Sequence, residues 1–282
     1  MKELEKKWSV TDSDSEIYKV NNGSGPVKLS EETASLVKFA LEMGKETLGA
    51  LDISMYPVVA AWGFTTDEHR VPSDDELEEL LKNVGYDRIV LEEDEIKTPD
   101  GMMIDLGAVG KGYAGDLLAK DLKDKGISSA ILDLGGNIQT IGKKPDGSSW
   151  KVGIRNPFDS TTLGLVEIGE KAVVTSGGYE RYFEENGEIY WHILDPQTGK
   201  PAHSGLVSVT VIGDEGKLCD ALSTAIFVMG LDKAKGLWEK RTDFDFIAVT
   251  DSGDIYLTKG IAADFSLSEQ YRDKKLNIIE KK

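Results

Sequence analysis

The chain of 282 residues is long enough for one large domain or two modest ones, and its 40% hydrophobic and 29% charged residues are typical of a globular protein. Its 50 acidic side chains outnumber the 33 basic ones, and the resulting net charge of −17 argues against binding to nucleic acid or to an anionic membrane surface. A single cysteine, Cys219, excludes an intramolecular disulfide framework and a cysteine-based zinc site.

The longest apolar run, roughly Ala221–Leu231, is far shorter than the ~20 residues that a helix needs to cross a bilayer. The opening residues, MKELEKKWSV, mix acidic and basic side chains without an apolar stretch, so no signal peptide is predicted. We therefore expect either a cytoplasmic protein or a chain from which a targeting segment has been removed.

Three amphipathic segments in the first half of the chain predict helices. The first runs from Ser30, a suitable N-cap, to about Gly49. The second opens with the capping box Ser73-Asp-Asp-Glu76 and closes at Gly85. The third covers Tyr113–Lys125, and the glycine that follows ends it.

Strand patterns lie between and after these helices. Arg88–Leu91 and Gly101–Leu106 are predicted strands on either side of a turn at Pro99-Asp-Gly101, and Ala130–Leu134 is predicted as a further strand. From Trp150 onward the pattern becomes predominantly β.

Two hairpins and one helix are predicted in the second half. Asn186-Gly187 lies between the aromatic-rich runs Tyr179–Phe183 and Ile189–Leu194, which is a strong hairpin signal, and a second hairpin is expected around Asp251–Asp254. A helix of about Leu218–Met229 lies between the two hairpins. This interleaving indicates an α+β fold with mixed or antiparallel sheets and flanking helices.

A glycine-rich segment offers one functional hypothesis. Gly110-Lys-Gly112-Tyr-Ala-Gly115 has the spacing of a dinucleotide-binding loop, and Asp133 lies about where a ribose-binding acid would be expected. However, the preceding strand ends near Leu106, several residues before the glycines, and the strand–helix alternation of a doubly wound sheet stops after residue 150. A nicotinamide-dependent dehydrogenase is therefore the weaker alternative.

Five segments taken together indicate a different function. They are Asp105-Leu-Gly-Ala-Val-Gly-Lys-Gly-Tyr-Ala-Gly-Asp116, Asp133-Leu-Gly-Gly-Asn137, Thr175-Ser-Gly-Gly-Tyr-Glu-Arg-Tyr-Phe183, His192-Ile-Leu-Asp-Pro-Gln-Thr-Gly-Lys-Pro201 and Asp220-Ala-Leu-Ser-Thr-Ala225. In this order and spacing, the chain resembles the ApbE family of FAD:protein FMN transferases over nearly its whole length.

The resemblance implies a fold and a reaction. We expect a single ApbE-like, T-fold-like domain over residues 1–282, with two lobes as a variant. The implied reaction is a Mg²⁺-dependent transfer of FMN from FAD to a Ser or Thr hydroxyl of an acceptor protein, with release of AMP. FAD is then the substrate, the acceptor protein is the partner, and nucleic acid has no part.

Asp220 and Thr224 are candidate ligands for the metal. They are four residues apart on a predicted helix, so their oxygens lie on the same face. Carboxylate and hydroxyl oxygens are hard ligands suited to Mg²⁺. The resemblance makes both of them metal ligands and adds Ala108, which could contribute only its backbone carbonyl. From the residues alone, the alternative is that both side chains cap and solvate the start of the helix.

The resemblance also implies a set of FAD-binding residues. Asp105 matches an acid that contacts the flavin nucleotide, Ala50-Leu51-Asp52 matches a segment that lines the FAD site, and Leu194 matches an apolar position against FAD. Lys111, in a glycine-rich turn before a helix, is placed to attract phosphate. An ordinary exposed lysine is the alternative for Lys111, and a solvated loop residue is the alternative for Asp105.

His192 follows an aromatic-rich strand, where a histidine is more often a packed structural residue than a catalyst. The resemblance places this histidine next to the bound flavin and makes it, with Asp220, a candidate catalytic residue. Since imidazole changes its charge near neutral pH, His192 is a suitable general base.

Two features depart from the family pattern. The family's N-terminal strands, which bear a Met-Gly-Thr segment that touches FAD, have no counterpart here, and Gly178 stands where the family often has an acid. The first departure predicts either a truncated variant or a pocket with one side built differently.

The same residues are compatible with two other functions. With water as the acceptor, the same site would act as an FAD pyrophosphatase that yields FMN and AMP, and without catalysis the chain would be a flavin-binding protein. The resemblance further implies an extracytoplasmic location, as a membrane-anchored lipoprotein or a periplasmic protein whose export segment is absent from this chain. A cytoplasmic location is the alternative.

Overall fold

The computed structural model describes residues 2–66 and 68–281. These residues divide into two compact units. The first unit consists of the chain up to Gly110 together with Glu180–Ala202, and the second consists of Lys111–Tyr179 together with the chain from His203 onward. The expectation of a single family domain over the whole chain stays a prediction.

Eight α-helices lie within the described residues, and none of them combines the length and the apolar character that a membrane crossing requires. They are α1 (Lys2–Trp8), α2 (Glu16–Asn22), α3 (Glu31–Glu46), α4 (Tyr56–Ala61), α5 (Asp74–Leu81), α6 (Gly107–Asp124), α7 (Gly216–Met229) and α8 (Leu231–Glu239).

Fifteen strands are formed by the residues that the structure describes. They are β1 (Val27–Lys28), β2 (Val90–Glu92), β3 (Glu95–Lys97), β4 (Ala130–Asp133), β5 (Asn137–Ile141), β6 (Trp150–Arg155), β7 (Thr162–Ile168), β8 (Ala172–Gly177), β9 (Tyr182–Glu185), β10 (Glu188–Trp191), β11 (Leu206–Gly213), β12 (Phe244–Thr250), β13 (Ile255–Thr258), β14 (Phe265–Leu267) and β15 (Leu276–Ile279).

The second unit is built on a seven-stranded sheet in the order β15-β13-β12-β11-β8-β5-β4. Its neighbouring strands are antiparallel except for the parallel pair β13 and β15. A three-stranded antiparallel sheet, β14-β7-β6, belongs to the same unit. The first unit contains the small sheet β1-β3-β2 and the hairpin of β9 and β10. Mixed sheets with helices confirm the α+β class.

Both faces of the seven-stranded sheet are buried, because its central strands carry apolar side chains in both directions. On one face, Ile247 and Val249 of β12 join a core cluster with β6, β7 and β14. On the other face, α7 lies against β8 and β11, and α8 lies against β12. Phe246 precedes Ile247 on β12, so its side chain points to this helix-covered face, where it is fully buried. The sheet therefore supplies a rigid base for α7.

The first unit has its own apolar cluster, formed around α4. Met55, Val58, Trp62, Phe64 and Leu194 are buried in it, together with Leu77 of α5. The rings of Phe183 and Tyr190, on the hairpin of β9 and β10, lie 6.3 and 5.3 Å from the Trp62 ring. Aromatic packing thus attaches the hairpin to α4.

Local sequence signals located several elements well. Ser30 is the N-cap of α3, although its side chain forms no capping bond, and the Ser73 hydroxyl accepts the Glu76 N–H at the start of α5. Asn186 and Gly187 both have positive φ angles, as a tight hairpin turn between β9 and β10 requires. The predicted helix in the second half corresponds to α7.

Two predicted elements are wrong. Gly101–Leu106 is not a regular strand, since it forms only the isolated bridge between Met55 and Met103, and β2 instead pairs with β3. The third helix begins at Gly107 rather than at Tyr113, so the glycine-rich segment is helical rather than a turn.

The buried face of β12 generates a stability prediction. We expect Phe246→Ala to lower the free energy of unfolding by about 3–5 kcal/mol, because it removes a large side chain from a closed core and leaves a cavity. Phe158→Ala is the matched control: Phe158 is 56% exposed, and the expected loss is below about 0.5 kcal/mol. Urea denaturation followed by circular dichroism measures both values. A loss below about 1 kcal/mol for Phe246→Ala would contradict the packing described.

Candidate functional site

Asp220 and Thr224 lie one turn apart on α7 of the second unit, as the spacing predicted. The apolar face of α7 packs on the sheet, with Cys219, Leu222 and Ile226 fully buried. Asp220 itself is 4% exposed, which is unusual for an aspartate. A carboxylate with so little access to water requires compensating partners.

Some of those partners are polar groups of the same unit. The backbone N–H of Gly112, on α6, donates to Asp220 Oδ2 at 2.8 Å. Burial raises the pKa of Asp220 to about 6, although the Gly112 N–H, the amide of Asn137 and the charge of Lys111 all act to lower that pKa. The carboxylate therefore changes its ionisation just below neutral pH, and a bound cation would favour its charged form.

The hydrogen bond from Gly112 depends on a close approach of α6 and α7. A Cβ atom on Gly112 would lie 2.7 Å from Asp220 Cβ, and a Cβ atom on Gly216 would lie 2.5 Å from the Gly112 carbonyl oxygen. Glycine costs about 1 kcal/mol inside a helix, so its presence here is explained by the contact rather than by helix propensity. Gly112 therefore allows α6 to pack closely against α7.

Asp116, on α6, holds the first turn of α7. Its carboxylate accepts the backbone N–H of Gly216 at 2.6 Å and that of Lys217 at 2.9 Å, and it also accepts the Gln139 side-chain amide at 2.9 Å. These N–H groups have no partner within their own helix, and the N-cap residue of α7 provides no side-chain bond to them. Asp116 therefore caps α7 from a neighbouring helix and sets the position of Asp220.

Hydroxyl groups orient Thr224. Ser223 Oγ donates to the Asp220 carbonyl oxygen at 2.9 Å, which uses its only hydrogen. In the 2.8 Å contact between Ser176 and Ser223 the donor must then be Ser176, and in the 3.3 Å contact between Ser176 and Thr224 it must be Thr224. This order leaves the lone pairs of the Thr224 oxygen available to a cation.

These groups fit a hard divalent cation. Among the described residues no three His, Cys, Asp or Glu side chains form a cluster, so a transition-metal site of that kind is not indicated. A carboxylate, a hydroxyl and a buried amide with no hydrogen-bond partner, that of Asn137, offer oxygen atoms instead. Mg²⁺ binds few protein oxygens and completes its shell with water and substrate phosphates.

In the first unit, Asp105 caps the start of α6 by accepting the Gly107 N–H. Burial raises its pKa, and the charge of Arg181 acts in the opposite direction. Ala108 lies in the first turn of the same helix. Lys111, on the next turn, is exposed and helical, so its predicted setting in a turn is wrong.

The Asp52 carboxylate accepts hydrogen bonds from its own loop and from Tyr86. Its carboxylate accepts the N–H of Ser54 at 2.8 Å, the hydroxyl of Ser54 at 2.6 Å and the N–H of Tyr86 at 3.0 Å. Burial raises its pKa despite these bonds. Leu51, beside it, is buried, whereas Ala50 is half-buried. Three donors therefore hold this carboxylate in place.

His192 follows β10 in the first unit. Its Nδ1 lies 3.1 Å from the Arg181 carbonyl oxygen, which can only accept, so Nδ1 carries the hydrogen of the neutral ring and Nε2 is the basic nitrogen. The Phe64 ring lies 6.3 Å away, edge to face. A ring oriented in this way through one nitrogen has the tautomer that a general base needs.

Comparison with known proteins then decides the family. A family model described as the ApbE family matches residues 1–248. The chain is 32% identical over 286 aligned residues to the FAD:protein FMN transferase of Haemophilus influenzae, covering 95% of this chain and 81% of that protein. The chain belongs to the ApbE family. It is also 32% identical to the FAD:protein FMN transferase of Escherichia coli K12, covering 87% of this chain and 73% of that protein.

Solved ApbE structures share the fold. The ApbE protein of Thermotoga maritima superposes with a TM-score of 0.85 at 34% identity, covering 96% of this chain and 87% of that one. The flavin transferase ApbE of Vibrio cholerae gives a TM-score of 0.83 at 30% identity, covering 93% of this chain and 87% of that one. The dinucleotide-binding alternative is wrong, because an ApbE fold replaces the doubly wound sheet and Gly110–Gly115 lie inside α6.

Within the ApbE fold, the structure brings Asp220, Thr224 and the Gly112 N–H together in the second unit. Sequence analysis missed Asp116, Asn137 and Ser176 as site residues, although each belongs to one of the five quoted motifs. No spacing rule links them, because they reach α7 from α6, β5 and β8.

The raised pKa of Asp220 predicts how stability depends on pH in a chelator-containing buffer. A carboxyl whose pKa is raised from 3.8 to about 6 by folding stabilises the protein below the lower value, and this contribution is lost as the pH rises through about 6. We therefore expect Asp220→Asn, which keeps an oxygen for Gly112, to raise the free energy of unfolding at pH 7.5 by about 1–3 kcal/mol.

The increase in the free energy of unfolding caused by Asp220→Asn should become smaller as the pH falls to 4. Urea titrations at pH 7.5 and pH 4 measure this increase. Asp121→Asn on the exposed face of α6, where Asp121 pairs with Lys125 at 2.7 Å, is the control and should show no such gain. An Asp220→Asn protein that is less stable than the wild type at pH 7.5 would contradict the assignment.

Proposed function

We propose that this chain is a FAD:protein FMN transferase that uses a divalent cation and releases AMP. The acceptor hydroxyl attacks the phosphorus of the FMN half, the bond from that phosphorus to the bridging oxygen breaks, and AMP leaves with the bridging oxygen. Family membership and the names of the relatives support the reaction. The observation that carries the proposal is the buried carboxylate of Asp220, whose pKa is raised by burial, one turn from Thr224.

Asp220 and Thr224 are the proposed side-chain ligands of Mg²⁺, and the Ala108 carbonyl is the third ligand that the family resemblance implies. When bound, Mg²⁺ neutralises negative charge on the diphosphate and on the leaving AMP. The chain needs such a charge, because its net charge of −17 otherwise repels FAD. Lys111 adds a positive charge whose effect already reaches Asp220.

His192 is the proposed general base. In this role Nε2 takes the proton of the acceptor hydroxyl, while Nδ1 keeps its hydrogen on the Arg181 carbonyl oxygen. A neutral ring with that tautomer can accept a proton without first rearranging. Asp105, Leu194 and the segment Ala50-Leu51-Asp52 remain the proposed contacts to FAD.

The acceptor decides between transfer and hydrolysis. The test is to incubate the protein with FAD, Mg²⁺ and a candidate acceptor protein, to measure AMP by chromatography and to weigh the acceptor by intact mass spectrometry. We expect AMP and FMN-modified acceptor in equal amounts, with the modification on a Ser or Thr. Free FMN with unmodified acceptor would identify a pyrophosphatase, and no AMP at all would leave only flavin binding. The extracytoplasmic location is also part of the proposal, and cell fractionation with the complete gene product tests it.

Two substitutions separate binding from chemistry. We expect Asp220→Ala to lower the rate of AMP release by at least about 10²-fold, because it removes the charged cation ligand, while the protein still unfolds cooperatively. We expect His192→Ala to lower that rate by about 10²–10⁴-fold, the typical contribution of a general base, with the FAD dissociation constant changed less than about threefold.

His203→Ala is the control for His192, since His203 is an exposed histidine to which no role is given. Its AMP release should equal that of the wild type. Normal turnover by Asp220→Ala would refute the cation assignment, and normal turnover by His192→Ala would remove this histidine as the base.

A further inference from the structure

Asn137 is a buried residue whose amide oxygen has no hydrogen-bond donor. The residue is 4% exposed, and neither Nδ2 nor Oδ1 has a partner in good hydrogen-bond geometry, although the amide lies near enough to the Asp220 carboxylate to interact with it. Backbone bonds do not involve these atoms: the carbonyl oxygen of Asn137 accepts the Leu134 N–H, and its backbone pairs with Val174 of β8. Buried amides in folded proteins are almost always bonded, so an unpaired one needs an explanation.

The position of Asn137 on β5 directs its side chain to the functional face of the sheet. Side chains alternate along a strand, and Ile138, the next residue, packs against the apolar cluster on the opposite face. Gln139, two residues along, faces α6 and α7, where it donates to Asp116. Asn137 shares that face with Gln139 and lies close enough to Asp220 to lower the pKa of its carboxyl.

The chemistry of an amide then limits what can complete this group. An ionised carboxylate only accepts hydrogen bonds, so the donor end of the amide, Nδ2, must be the end that faces Asp220. The acceptor end, Oδ1, is left without a donor. A neutral amide oxygen, added to the carboxylate of Asp220 and the hydroxyl of Thr224, gives the all-oxygen donor set that hard divalent cations prefer.

We propose that Asn137 supplies a further oxygen ligand to the cation held by Asp220 and Thr224, with Oδ1 on the cation and Nδ2 donating to Asp220. The inference rests on the proposed function, since it concerns the same cation. It explains why an amide is kept unpaired in the core: the free energy that its burial costs is recovered when the cation binds.

Cation binding can be measured without turnover. Titration of the FAD-free protein with Mn²⁺, followed by the loss of the free-ion electron paramagnetic resonance signal and by competition with Mg²⁺, gives dissociation constants directly. We expect Asn137→Leu, which keeps the volume and removes both polar atoms, to weaken Mn²⁺ binding about 10-fold or more. In chelator its melting temperature should equal or exceed that of the wild type, because an unpaired buried amide is lost.

Asn137→Asp tests the oxygen itself. It retains an oxygen at the same place and adds a negative charge beside Asp220, so Mn²⁺ binding should be at least as tight as in the wild type, whereas the melting temperature in chelator should fall. A structural role for the amide predicts the opposite for Asn137→Leu, namely a lower melting temperature and unchanged Mn²⁺ binding.

Asn277→Leu is the matched control. Asn277 is on β15, at the far side of the sheet order from β5, and its amide already donates to the Ile255 carbonyl oxygen at 3.1 Å. Its Mn²⁺ binding should equal that of the wild type. If the wild type binds Mn²⁺ and Asn137→Leu binds it equally well, the role of Asn137 is refuted while the proposed cation site stands. The same conclusion follows if Asn137→Asp weakens Mn²⁺ binding as much as Asn137→Leu does. If the wild type binds no Mn²⁺, the proposed cation site fails with it.

Discussion

The close contact between α6 and α7 is the constraint on which the site of the second unit depends. Gly112 and Gly216 let the two backbones approach, the Gly112 N–H then reaches Asp220, and Asp116 holds the first turn of α7. Each of these interactions requires the others, because a shift of α7 along α6 would break all of them together. The close packing of the two helix backbones therefore fixes the position of Asp220.

The same arrangement buries ionisable and polar groups at a cost in free energy. Burial raises the pKa of Asp220 to about 6 and the pKa of Asp116 above its usual range, and the amide of Asn137 is left unpaired. Ordinary cores avoid such groups. Here they occur on the helix-covered face of a sheet whose opposite face is a closed apolar cluster. Unfavourable polar burial beside a well-packed core is typical of a site that is completed by a ligand.

Local rules predicted elements whose ends are marked by their own residues. The Ser73 cap, the Asn186-Gly187 turn and the apolar periodicity of α7 all correspond to observed features. The rules failed where a tertiary contact overrides propensity. Glycines predicted a turn before Tyr113, yet α6 begins at Gly107, where Asp105 accepts the backbone N–H, and Gly112 inside this helix lies against Gly216 of α7.

By itself, the sequence determined the α+β class, the family resemblance and the pairing of Asp220 with Thr224, since all three follow from periodicity or from short ordered motifs. Only the tertiary structure revealed that Asp116 caps α7, that Ser176 orients Thr224 and that Asn137 is buried without a partner. These residues lie on α6, β8 and β5, far apart along the chain. Their contacts arise from the packing of helices on a sheet, which no local pattern encodes.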